Sequence, residues 1–434
     1  MENIPPLPVK QVSATNQMLL RALILFSILL IIDFYVFQGF KLLVPARAAG
    51  KNPWHIAYWA VSALGFMFIV LAFATKWNEW PRFLRVYPFA IIAILYISKL
   101  FVVFFLILDD AIRIVRFVYE FIAEQISKKP EATTILPNIS RIKFLTQVGG
   151  AIAGVQFVSL LYGMARGAYD FRVRKVTLQF PDLPDGFDGI KILQLSDIHS
   201  GSFNGTKHLE NGIALALDQG ADVIFFTGDL VNDRSSEAEE FGRVFEKIKA
   251  PMGVYSILGN HDYGDYARWN SMEEKKENLQ RLKNIQREFG WSMLNNSNTL
   301  LERNGSSIGL IGVENWSRSM RFKKYGDMKA ATETFSTQSF NILLSHDPSH
   351  WSAEVTSSYN YIDLTLSGHT HGMQYGIEIP GFRWSPVQYV YKEWCDLYKQ
   401  QQQRLYVNRG LGFIGYPGRV GILPEITVFE LYRA

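Results

Sequence analysis

The chain has 434 residues, too many for one ordinary core and suited to two or three units. Charged residues make up 19% and hydrophobic ones 48%, where soluble domains average about 25% charged, so part of the chain belongs in lipid. A net charge of +4 is too mild to point to nucleic acid, and the single cysteine, Cys395, excludes an intrachain disulfide framework and a thiolate-rich metal cluster.

The first 165 residues read as a membrane region. Four apolar runs are long enough to cross a bilayer as helices: Met18–Leu43, Ile56–Thr75, Val86–Leu108 and Phe144–Met164. Trp54, Tyr58, Trp59, Trp77, Trp80 and Tyr162 cluster toward their ends, as an interfacial aromatic belt would. The segment Arg113–Lys129 is amphipathic and charged, and is expected to lie on the membrane surface before a loop around residues 130–137. The first run also carries Arg21 and Lys41 toward its ends, but two opposite charges fall near the middle of spans that run in the same direction, Asp33 in the first and Lys99 in the third. They should sit at similar depth, where they pair or snorkel separately.

From about Val176 the pattern changes to short apolar runs alternating with amphipathic helices, which specifies an α/β domain over 172–434. Strands are expected at Val176–Phe180, Lys191–Leu195, Val223–Thr227, Val254–Leu258 and Ser307–Val313, then at Asn341–Ser345, Ile362–Leu366, Arg404–Val407 and Ile426–Leu431. Helices are expected at Thr206–Gln219, Ser235–Lys249 and Met272–Phe289.

Metal-type ligands follow five of these strands directly. The runs deliver Asp197 and His199, then Asp229, then Asn260, His261 and Asp262, then His346 and Asp347, and finally His369 and His371. Ligands of α/β sheets bind beyond the carboxyl ends of strands, so the five loops should converge on one edge. Five of the eight histidines occupy these positions, leaving His55, His208 and His350 elsewhere.

The order Asp-x-His, Gly-Asp, Gly-Asn-His-Asp, a lone His and Gly-His-x-His, spanning about Ile190 to Gly372, resembles the calcineurin-like metallophosphoesterase superfamily. The tail Val407-Asn408-Arg409-Gly410-Leu411-Gly412, with Arg419 and Pro424-Glu425-Ile426, resembles the membrane-associated branch related to bacterial YkuE and YaeI. The resemblance implies a two-sheet β-sandwich flanked by helices that carries two divalent metal ions. Asp197, His199 and His371 would hold one ion, Asn260, His346 and His369 the other, and Asp229 would bridge them. Two ions, two carboxylates and a bridging hydroxide leave about one positive charge, enough to attract a phosphate ester. This mixed ligand set suits manganese, iron or zinc better than calcium or magnesium. The implied reaction is attack by the bridging hydroxide, with His261 as general acid and Asp262 orienting its ring. Arg409 and Arg419 either clamp a substrate phosphate or are structural.

The leading expectation is a multi-pass, membrane-anchored phosphoesterase of the bacterial inner membrane. A phosphodiester or pyrophosphate, preferably lipid-linked, is the expected substrate, because relatives in the branch include UDP-2,3-diacylglucosamine pyrophosphatases of lipid A synthesis. A cell-wall or soluble substrate is the alternative, and a catalytically dead membrane scaffold is the alternative of another class. The aromatic-rich stretch Phe382–Tyr398 is either a lid or acyl-binding lip, or ordinary core. Basic residues flanking the spans are nearly balanced across the two sides, so the positive-inside rule does not orient the chain. Ser140-Arg141-Ile142-Lys143-Phe144-Leu145 resembles a twin-arginine export motif with its second arginine replaced, which favours an outward-facing enzyme domain.

Overall fold

The computed structural model describes residues 14–45, 52–77, 80–127 and 139–434, and the loop expected around 130–137 lies outside them. The chain divides into two compact units, Met1–Leu161 and Tyr162–Ala434.

Among its described residues the first unit is built on four helices, α1 (Ala14–Leu43), α2 (Pro53–Ala74), α3 (Arg82–Ser127) and α4 (Ile139–Ala165), the last extending to four residues past Leu161. All four are long and apolar enough to cross a membrane. Asn52 starts α2 by accepting the Trp54 amide, with Pro53 in the first turn where its missing N–H costs nothing. Val36, Val102, Leu106 and Ala153 form the small core shared by α1, α3 and α4. The stretch expected as a separate surface helix, Arg113–Lys129, is corrected: as far as Ser127, where the described residues stop, it continues the third span in one 46-residue helix, about 69 Å long at the helical rise. No proline or glycine interrupts the sequence between Val86–Leu108 and the amphipathic stretch except Pro88 near the start, so nothing ends the helix there.

Asp33 and Lys99 form a buried ion pair. Tyr96 Oη donates to the second Asp33 oxygen at 2.7 Å, and Lys99 also reaches Ser62 Oγ at 3.3 Å. The ammonium lies over the rings of Tyr58 and Tyr96 at 4.9 and 4.8 Å. Two charges that would each be costly in hydrocarbon are thereby compensated within the bundle.

The second unit stacks two six-stranded mixed sheets. In chain order the strands are β1 (Arg172–Phe180), β2 (Ile190–Leu195), β3 (Val223–Phe226), β4 (Val254–Ser256), β5 (Ser292–Met293), β6 (Ser297–Arg303) and β7 (Ser306–Gly312). They continue with β8 (Asn341–Leu344), β9 (Leu364–Ser367), β10 (Ile377–Ile379), β11 (Phe382–Trp384), β12 (Asp396–Gln400), β13 (Gln403–Val407) and β14 (Glu425–Arg433). One sheet has the order β1-β14-β2-β3-β4-β5 and the other β12-β13-β9-β8-β7-β6, while β10 and β11 form a separate hairpin. Ile190, Ile192, Val223 and Phe225 of the first sheet meet Ile308, Leu310, Ile342, Leu344 and Leu364 of the second in one dry core. The outer face of the first sheet is covered by α5 (Lys207–Leu217), α6 (Ser235–Glu240), α7 (Gly242–Phe245) and α8 (Met272–Glu288). Strands β2, β3 and β4 are mutually parallel, as are β8 and β9; β3, β8 and β9 are buried throughout, β2 except at Lys191, and β4 except at half-buried Tyr255.

The single helix expected over Ser235–Lys249 is two. Phe241 leaves helical geometry (φ −105°, ψ 11°) and is fully buried, and Gly242, a weak helix former, follows it.

Candidate metal centre

The five loops that follow β2, β3, β4, β8 and β9 meet at one place. Asp197, His199 and His371 each bring a ligand atom within 4.8 Å of the others, and Asp229, His346 and His369 form a second such set. One oxygen of Asp229 lies 3.1 Å from His346 Nε2 and 3.5 Å from His199 Nε2. A single carboxylate atom therefore touches both groups. Asn260 Oδ1 is 3.2 Å from His346 Nε2, which places it with the second set.

The backbone is held in unusual conformations to achieve this. Asp197, His199, Asp229, His369 and His371 all have positive φ, between 48° and 72°. That region is sparsely used outside glycine, though Asp and His tolerate it better than most residues. Strain of this kind persists where the surrounding structure over-determines it, and it clusters at functional sites. Two glycines permit the close packing: a Cβ on Gly259 would lie 2.2 Å from Asp229 Oδ1, and one on Gly368 would lie 2.1 Å from Asp197 Oδ2.

The ring nitrogens are sorted. His199 Nδ1–H donates to Asn232 Oδ1 at 3.1 Å and His346 Nδ1–H to the Thr227 carbonyl at 2.7 Å, so each turns Nε2 inward. His369 is reversed. Its Nε2 meets Tyr391 Oη at 2.8 Å and Asp347 at 3.4 Å, and its Nδ1 faces His346 Nε2 at 3.3 Å. The inward Nε2 atoms of His199 and His371 lie 3.0 Å apart. Nitrogen lone pairs converging at this spacing, with carboxylates between them, are the chemistry of a cation site, so the residues present fit a pair of divalent ions.

Electrostatics agree. Burial opposes ionisation of Asp197, but the charge and hydrogen bond of His371 outweigh it and hold the carboxyl well below the usual range. Burial likewise opposes Asp229, and His346 and His261 pull it well below. Burial drives His199, His369 and His371 toward the neutral, ligating form. His346 is the exception: burial lowers it, but the Asp229 carboxylate outweighs that and pushes it up to about 10. A divalent ion must displace that proton, so affinity should rise with pH. Competition against a chelator should show tighter binding at pH 8 than at pH 6, by about tenfold per pH unit for each proton released. Equal affinity at the two values would mean that His346 does not give up a proton to a ligand.

Two roles expected from the sequence are corrected. Asp262 does not orient the His261 ring. Its carboxylate accepts the amides of Asp229, Leu230, Val231 and Gly259, at 2.8–3.3 Å, and so fixes the turn that carries Asp229. Burial, then the neighbouring Asp229 charge, raises Asp262 to about 7. The His261 ring is instead held through Nδ1–H to the Asn232 carbonyl at 2.8 Å, between the rings of His199 and Tyr266. Arg409 and Arg419 do not clamp a substrate, because both guanidinium groups are fully buried and their terminal nitrogens are already bonded within the fold. Arg409 bonds Glu425, Asp396 and Glu378 at 2.6–2.9 Å. Arg419 gathers the carbonyls of Arg409, Gly410 and Gly412 and meets His371 Nδ1 at 3.1 Å, bracing the loop behind that ligand.

Several contributors were not picked out in the sequence. Asn232 holds both His199 and His261, Asp347 and Tyr391 hold His369, and Tyr266 Oη receives the Asn260 amide at 3.0 Å. Asp347 directly follows His346 and Asn232 follows Asp229 by three residues, which is the available signal for each. The remaining histidines are elsewhere: His350 bonds Ser345, His208 stacks on Tyr169, and His55 lies against Phe37.

Comparison with known proteins agrees with this geometry. Residues 17–168 match a family model described as a probable calcineurin-like phosphoesterase transmembrane domain, and residues 190–373 match the calcineurin-like phosphoesterase model. The uncharacterized metallophosphoesterase YkuE of Bacillus subtilis is 31% identical over 305 residues, which cover 68% of this chain and 99% of that protein. The chain belongs to the calcineurin-like metallophosphoesterases. This metallophosphoesterase is also 26% identical to phosphodiesterase YaeI of Escherichia coli, over 68% of the chain and 99% of the relative. A zebrafish transmembrane protein with a metallophosphoesterase domain is 28% identical over 64% of the chain, which spans 61% of that protein. The chain is thus a metal-dependent phosphoester hydrolase with a membrane region, and its two ligand clusters are the candidate places for the divalent ions that the family uses.

Proposed function

We propose that this metallophosphoesterase holds two ions of manganese, iron or zinc and hydrolyses a lipid-linked phosphodiester or pyrophosphate, in the manner of a UDP-2,3-diacylglucosamine pyrophosphatase. The observation that carries the dinuclear reading is the Asp229 oxygen lying within 3.5 Å of a ring nitrogen from each cluster. Asp197, His199 and His371 would hold one ion and Asn260, His346 and His369 the other. When bound, the ions supply a water activated at neutral pH and offset the charge that builds on the phosphoryl oxygens.

The chain's own groups do the rest. Asn232, Thr227, Asp347 and Tyr391 fix which nitrogen of each ring faces inward. Half-buried His261, with Nδ1–H committed to the Asn232 carbonyl, keeps Nε2 for the departing oxygen, to which it delivers a proton. Support for a lipid-linked substrate comes from the four candidate membrane helices on the same chain. We place the chain in a bacterial cytoplasmic membrane with the enzyme unit outside. A reporter active only beyond the cytoplasm, fused after Ala434, should be active, and silence would reverse the orientation.

The purified full-length protein should contain about two transition-metal ions per chain. It should cleave bis(p-nitrophenyl) phosphate, lose that activity to a chelator and regain it with manganese. A chain without bound metal that cleaves nothing would remove the proposal. Faster turnover of a soluble phosphodiester than of a lipid-linked one would favour the cell-wall or soluble alternative instead.

A further inference from the structure

The hairpin of β10 and β11 is inside-out. Its register pairs Ile377 with Trp384, Glu378 with Arg383, and Ile379 with Phe382. Directly opposed residues share a face, so Ile377, Ile379, Phe382 and Trp384 line one side and Glu378 and Arg383 the other. The charged side is the one engaged with the rest of the domain: half-buried Glu378 bonds Arg409 and Arg174, at 2.9 and 2.8 Å, and the more exposed Arg383 pairs with Asp396. The apolar side is turned to solvent, with Ile379 58% and Phe382 53% exposed. The following turn continues it with Tyr389 and Val390, 77% and 78% exposed, and Trp384 Nε1–H reaches Tyr389 Oη at 3.3 Å. A surface hairpin normally presents polar side chains outward, and a contiguous apolar face marks a place where something docks.

This face adjoins the metal centre and a cationic loop. Tyr391, the residue after Val390, donates to or accepts from His369 Nε2 at 2.8 Å. On another side of the same ring, Phe322 packs edge-on at 4.7 Å. Phe322 belongs to a loop whose Arg318, Arg321, Lys323 and Lys324 are all exposed, with Met320 fully exposed at its tip. Apolar hairpin and basic loop therefore meet at one ligand.

We propose that these two segments form a docking surface for the bilayer, with the hairpin seated at the interface of anionic lipid and the basic loop on its headgroups. The occupant follows from composition and charge. Trp, Tyr, Phe and Ile are the residues that settle at the boundary of headgroup and acyl chain, and clustered Lys and Arg select an anionic leaflet. The chain's own apolar helices keep such a surface within reach of lipid. The inference rests on the lipid-linked reading of the substrate and deepens it: a phosphate at the leaflet surface would be presented directly to His369 and its neighbours, without leaving the membrane.

The test uses the full chain in nanodiscs of phosphatidylcholine with phosphatidylglycerol. Val390→Cys carries an environment-sensitive fluorophore, with Met272→Cys as a control at another exposed position; the native Cys395 is buried. The label at 390 should shift to the blue, escape aqueous iodide and be quenched by nitroxide lipids, most strongly at roughly 5–10 Å below the headgroups. The label at 272 should remain open to iodide. Pure phosphatidylcholine, or charge reversal by Arg321→Glu with Lys323→Glu, should shrink the shift at 390. A label at 390 that stays open to iodide in the anionic discs overturns the proposal. So does protection that grows with protein concentration in detergent, since a second copy would then be the occupant. Hydrolysis of bis(p-nitrophenyl) phosphate by the same labelled samples keeps the readings apart. Cleavage with an unprotected label defeats only the docking surface, whereas a protected label without cleavage or metal defeats the dinuclear reading.

Discussion

Asp229→Ala should leave a folded chain that no longer holds its ions as a pair. Its carboxylate is the group within reach of ligand nitrogens from both clusters, so removing it deprives each of a negative ligand at once. Bound metal should fall from about two ions per chain to one or fewer. Turnover should fall by more than the roughly 10–100-fold typical of changes behind the ligand shell. Alanine also loses the tolerance of Asp for positive φ, here 58°, and that adds a stability cost of about 1–3 kcal/mol. Asp229→Asn separates the two effects, since it suits the same backbone and removes only the charge. Elemental analysis and thermal unfolding of both variants check this. Full metal content with undiminished hydrolysis in the asparagine variant would show that Asp229 bridges nothing.

His261→Ala should retain its metal and lose about 10²–10⁴-fold in turnover on esters with poor leaving groups, the range over which a positioned proton donor contributes. An activated aryl ester needs little help from an acid, so its hydrolysis should change far less. The ratio of the two rates is the measurement, and an unchanged ratio removes the acid role. Asp262→Asn provides the contrast. Because Asp262 binds the amides around Asp229 and Gly259 and not the His261 ring, its loss should depress both substrates alike.

Much of the molecule could be read from the amino-acid order, and the remainder had physical reasons to stay hidden. The strands that carry ligands are largely buried, β3, β8 and β9 throughout and β2 except for Lys191, so each reads as a short, mostly apolar run closely followed by Asp, Asn or His. Strands β6 and β12 are sheet edges rich in polar residues, which blurs the alternation that marks a strand, whereas β10 and β11 alternate (Ile377-Glu378-Ile379, Phe382-Arg383-Trp384) but are only three residues each, too short to stand out. The partners of the candidate ligands were hidden for another reason. Asn232 acts on His261 through a backbone carbonyl, and Tyr391 reaches His369 from 22 residues away, contacts that no spacing rule encodes. Arg409 and Arg419 stayed open between two roles because an arginine near a phosphoesterase site suggests an anion, whereas carboxylates and carbonyls of the same fold bind both.

The ion pair between Asp33 and Lys99 carries a consequence for inheritance. Either residue alone would strand an uncompensated charge in a buried place, which typically costs about 3–5 kcal/mol, while exchange of both for apolar residues of similar volume is often neutral. Descendants of this chain can therefore discard the two together, or exchange their signs, but a lineage that passes through the loss of one crosses a valley. Homologous bundles should carry both charges or neither.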